Sequence, residues 1–333
     1  MSSAMNGSSP TTVVVGATGY IGTHLCQKLS GQGITIHAFG RREWKTDESA
    51  LSNQVYHTGD VCDRQTIESI VNLDPDAIIY CVSLDQHESE IDIERAMAVN
   101  VTPLWVLADS LTRKIKKSVR FVYLSTAHVY GNLVGNITEE SISQPRTVYG
   151  LTHLMCEQVL KRYACLGAME SISARLSNGY GPPVSESLGC WSLAVNDFCR
   201  SAIEKQKIQL SSDGTPQRDF IYVDDIASSI ARLLQIPYQE LMQVYNIGSG
   251  NTKTMLELAN EVQQVYFKRS GCHCPIILGN GEVDLGASDM VRAKVDRQFV
   301  FDVSPSRALG MNPNVPLADG VNKLFDFLED KSQ

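Results

Sequence analysis

The chain has 333 residues, and its 29 Lys and Arg against 37 Asp and Glu give a formal net charge of −8. That acidic balance argues against a nucleic-acid coat, and no uncharged apolar run approaches the ~18 residues of a membrane span. At 43% apolar and 20% charged residues, the composition fits a globular protein with a sizeable core.

Residues 1–11, rich in Ser, Gly and Asn and without an apolar signal core, read as a loose leader. Short β-branched runs then predict strands at 12–15, 34–39, 54–58, 77–82, 120–125 and 171–175. Between them lie stretches that predict helices from residue 21, over 91–115 and over 149–163. The run 77–82 is nearly all apolar, the pattern of a strand buried on both faces. This alternation specifies an α/β fold: a doubly wound parallel sheet, with its ligand at the carboxyl ends of the strands. The rhythm breaks after Leu176, at Gly179-Tyr180-Gly181-Pro182-Pro183. Beyond it the pieces read as a smaller, discontinuous C-terminal lobe, with 243–247 returning to the sheet. The expected division is one domain of residues 12–178 plus about 215–248, and a second lobe of about 179–214 and 249–330.

The nine cysteines are scattered along the chain and read as reduced thiols of a cytoplasmic protein. Cys272-His273-Cys274 has metal-like spacing but no second ligand pair near it in sequence, so no metal site is expected.

Gly16-Ala17-Thr18-Gly19-Tyr20-Ile21-Gly22 follows a predicted strand and opens a helix. The first glycine permits a tight turn, the second lets backbone approach a pyrophosphate, and the third lets helix pack on strand. In that context the loop predicts dinucleotide binding. The second strand ends at Phe39-Gly40-Arg41-Arg42, where an NAD site usually carries a carboxylate for the ribose 2′-hydroxyl. A glycine followed by Arg41 and Arg42 suits a 2′-phosphate, hence NADP before NAD. The alternative is a pair of solvated surface arginines beside an NAD site. Asp60, after the third strand, can accept from the adenine amino group or cap a helix.

Tyr149 and His153 are four residues apart on a predicted helix and share a face. Ser125 and Thr126 end the preceding strand on the same edge of the sheet. A phenol, a hydroxyl and a hydrogen-bonding partner make a proton-transfer site for carbonyl–alcohol interconversion.

At this point the chain resembles the extended short-chain dehydrogenases/reductases of the nucleotide-sugar epimerase/dehydratase superfamily. The glycine loop, Gly59-Asp60-Val61, Asn100-Val101, Ser125-Thr126-Ala127-His128-Val129-Tyr130-Gly131 and Tyr149-Gly150-Leu151-Thr152-His153 carry the resemblance. So do Arg175-Leu176-Ser177-Asn178-Gly179-Tyr180-Gly181-Pro182, Arg218-Asp219-Phe220-Ile221-Tyr222-Val223-Asp224-Asp225, Tyr245-Asn246-Ile247-Gly248 and Leu309-Gly310. The resemblance implies a Rossmann domain that binds NADP, a substrate-binding second lobe, and a homodimer formed through a four-helix bundle. It places Thr126 at the sugar oxygen, Tyr149 as acid/base, and His153 beside the nicotinamide ribose. It puts Val61, the turn Cys81-Val82-Ser83 and Asn100 at the cofactor. Asn178, Arg218 and Arg292 would hold the substrate's nucleotide and pyrophosphate, with His128 also at the substrate. Arg218 has an alternative as the ion-pair partner of Asp219 or Asp224.

Two departures shape the functional expectation. The family motif is Tyr-x-x-x-Lys, and His153 stands in place of the lysine. A histidine with a reference pKa near ~6.5 lacks the lysine's steady positive field, which favours reduction over oxidation. The family's dehydratases carry Asp-Glu after the catalytic Thr, whereas Ala127-His128 follow here, so dehydration is not expected. The leading expectation is an NADPH-dependent reductase of a keto group, at C4, on a nucleotide-linked sugar. The alternatives are a nucleotide-sugar 4-epimerase with recycled NAD(P), an NADP-binding regulatory protein weak in catalysis, and an enzyme of non-sugar carbonyls.

Overall fold

The structure is a computed structural model and describes residues 10–43, 53–185, 188–279, 281–282 and 298–330. The expected leader falls outside the described residues except for Pro10 and Thr11, and so does Arg292.

Seven strands form the main sheet: β1 (Thr12–Val15), β2 (Ile36–Gly40), β3 (Gln54–Thr58), β4 (Ala77–Tyr80), β5 (Val119–Thr126), β6 (Met169–Leu176) and β7 (Val244–Ile247). Their order is β7-β6-β5-β4-β1-β2-β3. The pairings from β3 through β5 are parallel, with Thr12 opposite both Ile36 and Ala77. The chain winds from β1 outward to β3, then crosses to β4 on the other side of β1. The gap between the β1 and β4 carboxyl ends is therefore the topological switch point, where such sheets bind ligands. This is the doubly wound parallel sheet expected from the alternation.

Burial follows the period of the strands. Val13, Val15, Ile78, Tyr80, Phe121 and Tyr123 share one core cluster with Ile67, Leu104, Leu107, Leu160 and Tyr163 from three helices. The residues between them, Val14, Ile79 and Val122, are also wholly buried. Strands covered on both faces explain the continuous apolar runs.

The helix expected over 91–115 is instead broken into Gln86–Ile91, Ile93–Ala96, a π turn Met97–Val101 and Thr102–Lys114. Asp92 interrupts it in an extended conformation, and its side chain accepts from Arg95 N at 2.9 Å. A short acceptor that caps a new helix stops the old one. The π turn widens the helix at Asn100, as such bulges often do near functional residues.

The chain divides into two compact units, Met1–Gly131, Ser143–Arg175 and Ile230–Val244 in one, and Asn132–Ile142, Leu176–Ser229 and Tyr245–Gln333 in the other. Residues 132–142, 176–178, 215–229 and 245–248, expected with the sheet domain, thus group with the second unit. The reason is pairing: strand Gln217–Tyr222 joins Asn178–Tyr180 and Thr252–Thr254 in a separate three-stranded sheet. The second unit has its own core, including Phe198, Tyr222, Val262, Leu324 and Phe325. Within it Phe299–Phe301 pairs in parallel with Gly135–Ile137.

Candidate active site

The glycine loop bridges β1 and a helix, Tyr20–Gly31. Gly16 has φ +86°, and a Cβ there would meet Val82 Cγ2 at 3.0 Å and the Cys81 carbonyl carbon at 3.2 Å. Only glycine suits that conformation and that close approach to the β4 turn. Gly16 N and Ala17 N both donate to Phe39 O at 2.9 Å, which ties the loop to the end of β2. Gly19 caps the helix without a side-chain acceptor over its first turn, the arrangement in which helix amides meet an anion. Cys81 N donates to Val15 O at 2.9 Å. Thr18, Cys81, Val82 and the end of β2 therefore gather at the switch point, and the residues present fit a dinucleotide.

At Gly40 a Cβ would lie 2.4 Å from Thr18 Cγ2 and 2.5 Å from Thr18 Oγ1. A carboxylate side chain has no room there unless Thr18 moves. Arg41 and Arg42 are exposed, and Arg42 Nη2 donates to the Thr18 carbonyl of the glycine loop. Asp60 Oδ1 accepts from Cys62 N at 2.9 Å in a local turn, while Asp63 occupies the N-cap position of the following helix, Arg64–Asn72, without a side-chain capping bond. Asp60 is therefore not the N-cap residue of that helix. Val61 is buried in the core.

The reacting groups lie in the first unit. Thr126 ends β5 and accepts from His128 N at 3.2 Å, starting a 3-10 turn over Ala127–Tyr130. Tyr149 sits in the first turn of helix Val148–Cys165, which Thr147 caps by accepting from Gly150 N at 3.0 Å. Burial pushes the Tyr149 pKa up to about 12, with Thr126 opposing and Asp85 adding to the shift. The His153 ring stands 4.4 Å from the Tyr149 ring, at 62°, and the His128 ring 5.6 Å, at 88°.

His153 is 3% exposed. Its Nδ1 lies 2.7 Å from Tyr123 Oη and its Nε2 3.2 Å from Ser83 Oγ. Burial, reinforced by His128, lowers its pKa to about 3. The imidazole is therefore neutral at pH 7, and both ring nitrogens already have partners in the protein.

Asn100 is buried and fully engaged: Oδ1 accepts from Leu84 N at 2.8 Å, and Nδ2 donates to Thr152 Oγ1 at 3.0 Å and Ser89 Oγ at 3.3 Å. It ties the β4 turn and the π turn to the helix of Tyr149. Sequence reasoning passed over Glu157 and Tyr123. Glu157 follows Tyr149 and His153 at the same four-residue spacing, a signal that was available. It takes Ser125 Oγ at 2.5 Å and a two-point pair from Arg175, 3.0 and 2.7 Å. The Arg175 guanidinium also lies 4.6 Å from the Tyr130 ring centroid.

Asn178 and Arg218 lie in the second unit, on neighbouring strands. Asn178 Nδ2 donates to Asp219 O at 3.0 Å. Asp219 accepts instead from Ser249 N, Ser249 Oγ and Asn251 N at 2.8–2.9 Å, not from Arg218. Half-buried Arg218 has no ion pair among the described residues; it donates to Gln217 O at 2.7 Å, and burial lowers its pKa. Among the described residues no three His, Cys, Asp or Glu converge as a metal site, and no helix is long and apolar enough to cross a membrane.

The chain is similar to the UDP-glucose 4-epimerase of Rhizobium meliloti, 27% identical over 322 residues, covering 92% of this chain and 93% of that one. It is also similar to the dTDP-4-dehydro-6-deoxyglucose reductase of Escherichia coli, 22% identical over 328 residues and covering 94% and 96%. Among solved structures, the UDP-glucuronic acid 4-epimerase of Bacillus cereus, in complex with UDP-glucuronic acid and NAD, superposes with TM-score 0.79. That likeness, at 21% identity over 96% of this chain and 99% of the other, is one of fold. The model of the NAD dependent epimerase/dehydratase family matches residues 12–248. The chain belongs to that family, whose enzymes are extended short-chain dehydrogenases/reductases.

Proposed function

We propose that the chain is an NADPH-dependent reductase of a keto group, at C4, on a nucleotide-linked sugar, with Tyr149 as general acid. The observation that carries the reading is the buried imidazole of His153 beside Tyr149, with both ring nitrogens hydrogen-bonded within the protein and burial lowering its pKa. With no cation from that neighbour, the phenol keeps its proton through the physiological range. A protonated phenol is ready to give a proton and poorly placed to take one.

A reduced dinucleotide held at the glycine loop would supply the hydride to the carbonyl carbon and leave oxidised. Thr126 orients the carbonyl oxygen, and Tyr149 Oη transfers its proton to that oxygen, completing the alcohol. Arg218, half-buried and without a carboxylate partner among the described residues, is the group proposed to hold the substrate's diphosphate, with Asn178 beside it. A relative named for reduction of a dehydro sugar supports this reaction class.

NADP preference rests on Gly40, Arg41 and Arg42. Replacing both arginines with alanine weakens NADP binding about ten- to a hundred-fold and leaves NAD binding nearly unchanged, the size expected for charge-assisted phosphate bonds. Fluorescence titration with both dinucleotides checks this, and a wild-type preference for NAD refutes it.

The proposed assembly is a homodimer through helices Thr102–Lys114 and Val148–Cys165. They leave Trp105 46% and Leu151 49% exposed, large apolar groups on adjacent helices. Light scattering at micromolar protein should give twice the chain mass; a monomer mass counts against it.

A second reading, a 4-epimerase, is favoured by the relative of that name at 27% identity. Product analysis separates the two. A reductase converts a 4-keto nucleotide sugar and NADPH to the alcohol, whereas an epimerase interconverts C4 alcohols without added NADPH.

A further inference from the structure

The hydrogen bonds around His153 have a direction. A serine hydroxyl carries one hydrogen, and Ser83 Oγ donates it to Leu84 O at 2.7 Å. Toward His153 Nε2, 3.2 Å away, Ser83 is left only to accept. The ring proton is therefore assigned to Nε2. A neutral imidazole protonated there offers a lone pair at Nδ1, where Tyr123 Oη stands at 2.7 Å and donates.

The surroundings agree with that order. Tyr123 is 1% exposed. On the helix, Cys156 donates its thiol hydrogen to Asn100 O at 3.1 Å. The titratable groups facing the imidazole are Tyr149 on its own helix, His128 on the 3-10 turn and Tyr123 on β5, with Cys156 and Glu157 beyond Tyr123. Glu157, the carboxylate of this group, is engaged by Arg175 and Ser125.

From this directionality we propose that Tyr123 is a positioning residue, whose phenol holds His153 as the neutral Nε2–H tautomer and keeps positive charge from forming beside Tyr149. The residue in the lysine's place is thereby held without charge by its own neighbours. The consequence for Tyr149 rests on the reductase reading above, but the tautomer does not.

The test uses the full-length protein labelled with ¹⁵N-histidine and long-range proton–nitrogen correlation spectra. The His153 signals are identified by their loss in His153→Gln. No substrate or dinucleotide is needed, so failure here is distinct from failure of the reductase reading. Wild type is expected to show one pattern, proton on Nε2 and lone pair on Nδ1, from about pH 5 to about pH 8. Tyr123→Phe is expected to move both nitrogens to the intermediate positions of exchanging tautomers. Ser83→Ala is expected to keep the wild-type pattern, because Tyr123 still donates to Nδ1. A proton on Nδ1, or a cationic pattern at neutral pH, overturns the proposal in wild type alone, even if the phenylalanine variant does not fold. A wild-type pattern retained in Tyr123→Phe, or a switch to Nδ1–H in Ser83→Ala, also overturns it.

Discussion

Replacing Tyr149 with phenylalanine is expected to cut turnover in 4-keto sugar reduction by about 10²- to 10⁴-fold, the usual worth of a general acid, while leaving dinucleotide affinity nearly unchanged. The ring stays in the first turn of its helix against His153 and His128; only the transferable proton is lost. The pH profile carries the sign of the same argument. The Tyr149 pKa is pushed up to about 12, so the acid form persists well above neutrality. The His153 pKa is lowered to about 3, so no charge appears there as pH falls toward 5. The reductive kcat/KM, which reports groups of the free enzyme, should therefore show no descending limb between about pH 7 and about pH 10 from Tyr149. Steady-state rates of the wild type and Tyr149→Phe across that range test both statements. Undiminished reduction by the variant removes Tyr149 from the chemistry.

The second large effect concerns folding. Glu157 and Arg175 are 4% and 5% exposed and pair through two contacts. Removing one partner leaves an uncompensated charge in the interior, at a cost of about 3–5 kcal/mol. Arg175→Met should destabilise by that amount in urea unfolding, and Glu157→Leu likewise. The double variant should recover much of the loss, because the desolvation penalty of both ions goes with the pair. The recovery will be incomplete, because Ser125 Oγ loses the acceptor it has at 2.5 Å. Equal losses for single and double variants would mean that the pair, not the isolated charge, carries the energy. The active-site edge has a stake in this, since Ser125 directly precedes Thr126 and Glu157 is on the helix of Tyr149.

The parts of this molecule legible from sequence are those written in local spacing. The glycine loop lies within seven residues of a strand–helix junction, so its turn and close approach follow from residue type alone. The parallel sheet follows from the repeated apolar runs. His153 stood out in sequence as a departure, but its partners did not: Tyr123 is 30 residues away and Ser83 is 70. Nothing in local propensity says which phenol meets which nitrogen. The break at Asp92 was masked by the helical composition on either side, because one capping side chain outweighed the propensity of its neighbours. The grouping of residues 215–229 was missed for a similar reason. Strand Gln217–Tyr222 chooses its partners by register with Asn178–Tyr180 and Thr252–Thr254, which its own sequence does not encode. Arg218 had two readings in sequence; Asp219 is engaged by Ser249 and Asn251, and Arg218 has no ion pair among the described residues.

The central claim is net reduction, with the proton supplied by Tyr149. The most direct measurement incubates wild-type protein with a 4-keto nucleotide sugar and NADPH deuterated at both positions of the nicotinamide C4. Mass and NMR analysis of the sugar then follow. The account predicts one NADPH consumed for each alcohol formed, with deuterium at the sugar C4, and loss of both in Tyr149→Phe. Interconversion of C4-epimeric alcohols with no NADPH consumed and no deuterium in the product would contradict it.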